Sequence, residues 1–119
     1  NTSELQPYME KIITVIGKIV SNQPNYISIS GHTASIKDSN LGNVLDFWKI
    51  SSDRANEVRK FMVRQLIDKK QVVKIVGRAD REPFDYKDPY SVQNIRVGIT
   101  LLNEDSISEY QKSIPNVKK

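Results

Sequence analysis

The chain has 119 residues, of which 38% are hydrophobic and 27% are charged; this is the composition of one globular domain and excludes an intrinsically disordered segment. It contains no cysteine, so disulfides, thiolate catalysis and cysteine metal sites are excluded. The net charge of +4 is modest and the basic residues are scattered, so charge indicates a mildly basic surface and selects no partner.

The first predicted element is an amphipathic helix over residues 3–21. Ser3 and Gln6 have the spacing of a capping box, and Pro7 falls in the first turn, where proline is tolerated. Pro24 prevents the helix from continuing. Its hydrophobic residues recur at helical spacing and form one stripe: Leu5, Met9, Ile12, Ile13, Ile16, Ile19 and Val20. The helix has more apolar residues than packing on the core requires, so we expect it to contact a partner or an upstream segment as well.

A short strand is predicted at residues 26–30. Ile27 and Ile29 alternate there with polar residues and are expected to face the core. The strand ends at Gly31-His32-Thr33.

Residues 34–50 are predicted to form a long connection rich in glycine, serine, asparagine and aspartate. Long connections in compact domains are uncommon and are often functional. Phe47-Trp48, near its end, is predicted to pin the connection to the core.

The clearest helix is predicted over residues 52–69. Ser51 or Ser52 can cap it, and Asp53 suits the positive end of the helix dipole. Hydrophobic residues at helical spacing form its buried stripe: Ala55, Val58, Met62 and Leu66, flanked by Phe61.

Two further strands are predicted at residues 72–77 and 95–101, with a polar loop at 78–92 between them. The order helix, strand, helix, strand, strand predicts an α+β fold, in which a small mixed β-sheet carries helices on one face. Residues 103–119 are predicted to be a polar C-terminal tail.

The sequence begins at Asn1 without a methionine, and it shows neither a signal peptide nor an apolar run that could span a bilayer. We interpret it as a fragment of a longer protein. We expect an additional strand, and any membrane anchor, to lie upstream of Asn1.

Arg54 is the residue that points most clearly to ligand binding. If the first strand and the second helix pack together, Arg54 lies near the strand's end. A helix N-terminus attracts anions and disfavours cations, so an arginine in the first predicted turn indicates a carboxylate or phosphate partner. The alternative is an ion pair within the protein, with Asp38, Asp46 or Asp53.

No catalytic set is predicted. The chain has one histidine, His32, and lacks the HExxH, GxSxG and P-loop patterns. Its five tyrosines are scattered, without the paired strand aromatics of a nucleic-acid stacking platform. We therefore expect neither an enzyme nor a nucleic-acid binder, and we expect no cofactor and no metal.

Four segments in order resemble the motifs of OmpA-like peptidoglycan-binding domains. They are Ile29-Ser30-Gly31-His32-Thr33, the segment from Phe47-Trp48 to Val58, the segment from Val76-Gly77 to Pro83, and Asn94-Ile95-Arg96-Val97. The second motif is most similar to the MotB-like branch, whose members are flagellar stator proteins. The resemblance covers residues 5–102 and implies an OmpA-like sandwich over residues 1–102.

The resemblance implies a site that holds the peptide stem of peptidoglycan, mainly its diaminopimelate residue, without catalysis. Arg54 is the residue expected to grip a carboxylate of the ligand. His32 and Thr33, at the strand end, and Asn94, which opens the last motif, are expected to lie near it.

The chain departs from the family pattern at two positions. The family has an aspartate after Gly-His-Thr to bind an amino group, whereas this chain has Ala34, which cannot pair with an ammonium ion. Asp38 is one expected substitute; an altered wall ligand, or weak binding restored by bivalency, are the others. Ile95 stands where the family usually has arginine.

The resemblance also implies the partners and the location. It implies peptidoglycan, a homodimer, a MotA-like stator subunit bound through an upstream part, and membrane contact only through an upstream helix. The location expected is the periplasm, in a bacterial protein anchored to the inner membrane. The alternative function is an OmpA-like interaction or scaffold domain whose wall binding is weakened or lost, because of Ala34.

Overall fold

The structure is a computed structural model, and it describes residues 6–37, 40, 44–65 and 67–103. Leu5, Asp38, Leu66 and the predicted tail from residue 104 onward lie outside the described residues. The main elements, in chain order, are α1 (Pro7–Ser21), β1 (Ile27–His32), α2 (Phe47–Gln65), β2 (Val72–Gly77) and β3 (Arg96–Leu101). Within the described ranges, no helix is long and apolar enough to cross a membrane.

The three strands form one mixed sheet in the order β2-β1-β3. β1 is central; it runs parallel to β2 and antiparallel to β3. Ile27 and Ile29 are fully buried between half-buried serines, so one face of the sheet carries the core. The predicted α+β fold with a small mixed sheet is confirmed.

α1 begins at Pro7, four residues later than predicted, and its N-cap Gln6 makes no side-chain cap bond. The predicted capping box is therefore wrong, and proline at the first helical position takes its place. The predicted stripe is divided between two environments. Ile13 and Val20 are buried in the core. A second row of α1 side chains is exposed: Tyr8, Ile12, Val15 and Ile19.

α2 begins at Phe47, five residues earlier than predicted. Asp46 provides the start, because its Oδ1 accepts a hydrogen bond from the Lys49 amide at 3.1 Å. Trp48 thus lies in the first turn of a helix and is 54% exposed, so the predicted pinning of a loop to the core by the pair Phe47-Trp48 is wrong for Trp48. Phe47 is half-buried. The buried stripe is confirmed for its described members: Ala55, Val58, Phe61 and Met62.

α2 packs across β1 and β2, and it comes unusually close to the two strands at Gly31 and Gly77. A Cβ added at Gly31 would overlap the Ser51 carbonyl oxygen, and one added at Gly77 would overlap the Ser52 hydroxyl. The two glycines face each other across the parallel strands. Their missing side chains let the helix backbone approach the sheet at the carboxyl ends of these strands.

The side chain of Gln71 joins α1 to the sheet just before β2 begins. Its Nε2 lies 3.0 Å from the carbonyl oxygen of Val20, 3.2 Å from that of Gln23 and 3.0 Å from that of Asn25. The two N–H donors of this amide are thereby shared among carbonyl groups at the end of α1 and in the connection to β1.

Candidate functional site

The carboxyl end of β1 meets the middle of α2. Nη1 of Arg54 donates a hydrogen bond to the carbonyl oxygen of His32 at 2.9 Å. The predicted proximity of Arg54 to the strand end is therefore confirmed. The guanidinium is half-buried, and desolvation lowers its pKa from the ordinary arginine value. Arginine nevertheless stays charged at neutral pH, so the site carries a positive charge.

The predicted reason for this placement is wrong. α2 begins at Phe47, so Arg54 is the eighth residue of the helix and not part of its first turn. The helix dipole acts mainly within the first turn, so it does not account for an anion site at Arg54. Asp53, one of the alternative partners, bonds instead to Nζ of Lys49 at 2.6 Å.

Ser51 and Ala79 join α2 to the turn after β2, beside the end of β1. The Ser51 hydroxyl is fully buried; it donates to the Trp48 carbonyl oxygen at 3.1 Å and accepts from the Ala79 amide at 3.0 Å. Ala79 has a φ of 52°, a left-handed conformation that costs alanine about 1 kcal/mol. Its carbonyl oxygen accepts from the Thr33 amide at 2.8 Å. The turn after β2 is thereby tied to the segment after β1.

The side chain of Asp80 adds a second contact between the turn after β2 and the segment after β1. Its Oδ2 accepts a hydrogen bond from the Ser35 hydroxyl at 2.8 Å. The Ser35 amide in turn donates to the Pro89 carbonyl oxygen at 2.9 Å. Residues 33–35 are thus held between the turn at residues 79–80 and the loop before β3. The methyl group of Ala34 lies half-buried in this segment.

His32 and Thr33 are both 6% exposed. Nε2 of His32 lies 3.2 Å from the Ser30 hydroxyl. The other ring nitrogen, Nδ1, and the Thr33 hydroxyl are buried without a hydrogen-bond partner among the described residues. Such groups are costly to bury and are rare in native proteins, so each of them calls for a physical explanation.

The free energy of unfolding is expected to decrease as the pH falls below 6.5. The pKa of His32 is lowered from 6.5, mainly by burial of the imidazole and to a smaller extent by the positive charge of Arg96. Below pH 6.5 the unfolded chain binds a proton that the folded chain does not, so acid favours unfolding until the folded-state pKa is reached. Urea unfolding at pH 7.5, 6.5 and 5.5 measures this, with a slope of at most about 1.4 kcal/mol per pH unit. His32 is the chain's one histidine, and His32→Gln should remove the slope. An imidazole that titrates above 6.5 by NMR would contradict the prediction.

Asn94 is fully buried, and its side chain fixes the loop before β3. Its Oδ1 accepts from the Asp85 amide at 2.8 Å, and its Nδ2 donates to the Asp88 carbonyl oxygen at 2.9 Å. Asn94 therefore shapes the loop that borders residue 35, and its predicted ligand contact stays a prediction.

Three residues of this arrangement were not predicted to take part in the site: Ser51, Ala79 and Asp80. Ser51 was interpreted as a helix cap. Its hydroxyl instead accepts a hydrogen bond from the Ala79 amide, because α2 packs against the turn after β2. The described residues include no group of three histidine, cysteine or acidic side chains that could hold a metal ion.

These contacts define a small α+β domain in which an arginine from the long helix binds the carboxyl end of the central strand. The sequence profile of the OmpA family matches residues 1–96. The chain belongs to the OmpA family.

Motility protein B of Escherichia coli (strain K12) is 29% identical over 105 residues, which are 88% of this chain. The chain spans 34% of the length of that relative.

Two solved structures have the same fold. The C-terminal domain of Helicobacter pylori MotB superimposes with a TM-score of 0.73 at 18% identity, over 94% of this chain and 86% of that chain. The cell wall anchor of the T6SS from Pseudomonas aeruginosa gives a TM-score of 0.67 at 21% identity, over 87% and 72% of the two chains. Both matches agree with the predicted OmpA-like architecture.

Proposed function

We propose that this chain is a non-catalytic, periplasmic domain that binds peptidoglycan and anchors a flagellar stator complex to the cell wall. The observation that carries the proposal is the guanidinium of Arg54, held at the end of the central strand by the His32 carbonyl. A guanidinium has five donors in a planar fork that matches a carboxylate. Peptide stems of the wall carry such carboxylates.

The stator context comes from two likenesses, to motility protein B and to the MotB C-terminal domain. In that context we also propose a homodimer, a MotA-like partner subunit, and an inner-membrane anchor in a longer chain.

Arg54→Ala is expected to weaken binding to purified peptidoglycan about tenfold to a hundredfold, since it removes a charge-assisted contact of about 1.5–3 kcal/mol. The measurement is co-sedimentation of the domain with insoluble wall at increasing wall concentration. Arg64→Ala is the matched control, because Arg64 is an exposed arginine on the last turn of α2 and its loss changes net charge equally. Equal sedimentation of Arg54→Ala and the unmodified domain would refute the role of Arg54.

A second function is an interaction or scaffold domain with weak or no wall binding, and Ala34 favours it. Under that alternative the unmodified domain does not sediment with the wall, and Ala34→Asp creates binding. Strong sedimentation of the unmodified domain would exclude it.

A further inference from the structure

We propose that Asp80 binds an ammonium group of the same ligand whose carboxylate Arg54 holds. The inference rests on the proposed function and adds a second, oppositely charged contact. The ligand class is a zwitterionic amino-acid residue with a free amine, displayed on a peptide.

The positions of Arg54 and Asp80 carry the inference. Arg54 contacts the backbone at His32, and Asp80 contacts the side chain of Ser35. Three residues of chain span at most about 11 Å, so the cation and the carboxylate flank one short segment. A segment with opposite charges at its two ends is complementary to a ligand that carries both charges.

The carboxylate of Asp80 retains capacity for a cation. It is half-buried, and its hydrogen bond from Ser35 comes from a neutral hydroxyl. A carboxylate can accept about four hydrogen bonds. Nε of the nearby Arg78 instead pairs with Glu82 at 3.1 Å, and none of the ion pairs found among the described residues includes Asp80.

The backbone before Asp80 is strained and firmly held. Ala79 has a positive φ, is 1% exposed and is bonded through both its amide and its carbonyl group. Residues in such conformations persist where the surrounding structure enforces them, and they concentrate at ligand sites. This turn fixes the direction in which the chain presents Asp80.

Two buried polar atoms of the same segment, residues 32–35, have no hydrogen-bond partner in the described part of the chain. Nδ1 of His32 and the hydroxyl of Thr33 are buried without a partner among the described residues. Ala34, the next residue, offers no charge. Asp80 is thus a carboxylate that the described structure bonds directly to this segment, whereas Asp38 lies outside the described residues.

The test uses a synthetic stem tripeptide that ends in diaminopimelate, prepared with its side-chain amine free and with that amine acetylated. Calorimetric titration gives the ratio of the two dissociation constants for each variant. In the unmodified domain, acetylation is expected to weaken binding about tenfold to a hundredfold, the size of one charge-assisted hydrogen bond. In Asp80→Asn the ratio is expected to fall close to one.

Asp80→Asn keeps an oxygen that can accept from Ser35, and circular dichroism checks that the variant folds. Asp88→Asn is the matched control, because Asp88 is an exposed aspartate in the neighbouring loop, and it should keep the full ratio. If the ratio of the dissociation constants is unchanged in Asp80→Asn, the inference is wrong. It is also wrong if the ratio falls to about one in Asp38→Asn and not in Asp80→Asn. If both peptides bind equally well and Arg54→Ala abolishes that binding, the proposed function stands and the role of Asp80 is wrong. If neither peptide binds, both fail.

Discussion

Gly31→Ala is expected to destabilise the domain by about 3 kcal/mol or more, because the added methyl group overlaps the backbone of α2. Its Cβ would overlap the Ser51 carbonyl oxygen and lie 3.2 Å from the Ala55 amide nitrogen. A backbone carbonyl cannot rotate away as a side chain can, so the helix must move. That movement would also withdraw Arg54 from the His32 carbonyl.

Urea unfolding measures the loss of stability, and Gly98→Ala provides the control. A Cβ at Gly98 meets only the Ser30 hydroxyl, at 2.8 Å, and this side chain can rotate at the cost of its contact with Nε2 of His32. We expect the control to lose much less stability than Gly31→Ala. Equal losses would show that the packing of α2 on β1 is not as close as described.

Asn94→Ala is expected to destabilise the domain by about 2 kcal/mol or more, because it leaves two backbone groups of the loop without partners. The Asp85 amide loses its acceptor and the Asp88 carbonyl loses its donor. Asn94 is fully buried, so shortening its side chain to alanine also leaves a small cavity.

Urea unfolding and limited proteolysis of the loop between β2 and β3 together check this prediction. Gln93→Ala is the control, since Gln93 is exposed and its neighbour Asn94 makes the buried contacts. The control is expected to change stability by less than about 0.5 kcal/mol. If Asn94→Ala resists protease as well as the control does, Asn94 does not hold the loop.

The strands and the core were predictable because their signals are local. Ile27 and Ile29 alternate with serines, and this pattern alone places them in the core. β2 lies at residues 72–77 as predicted, because a run of valines and isoleucine ends there at a glycine. The start of α2 was misplaced because two serines and Asp53 offered a plausible cap, whereas Asp46 is the residue that forms it.

The candidate site was only partly predictable, because most of its contacts join segments far apart in the sequence. The motifs indicated Arg54 and the strand end at His32, which are in contact. The link from Ser51 to Ala79 and that from Ser35 to Asp80 depend on how α2 and the turn after β2 approach one strand end. A residue spacing carries no information about such approaches.

The side-chain amide of Gln71 links the end of α1 to the start of β2. Carbonyl groups of Val20, Gln23 and Asn25 all lose a donor when the start of β2 separates from α1. Separating the two parts therefore costs these side-chain hydrogen bonds, and this couples the stability of α1 to that of the start of β2. A pulling force applied to α1 would accordingly reach the central sheet through this side chain as well as through the chain itself.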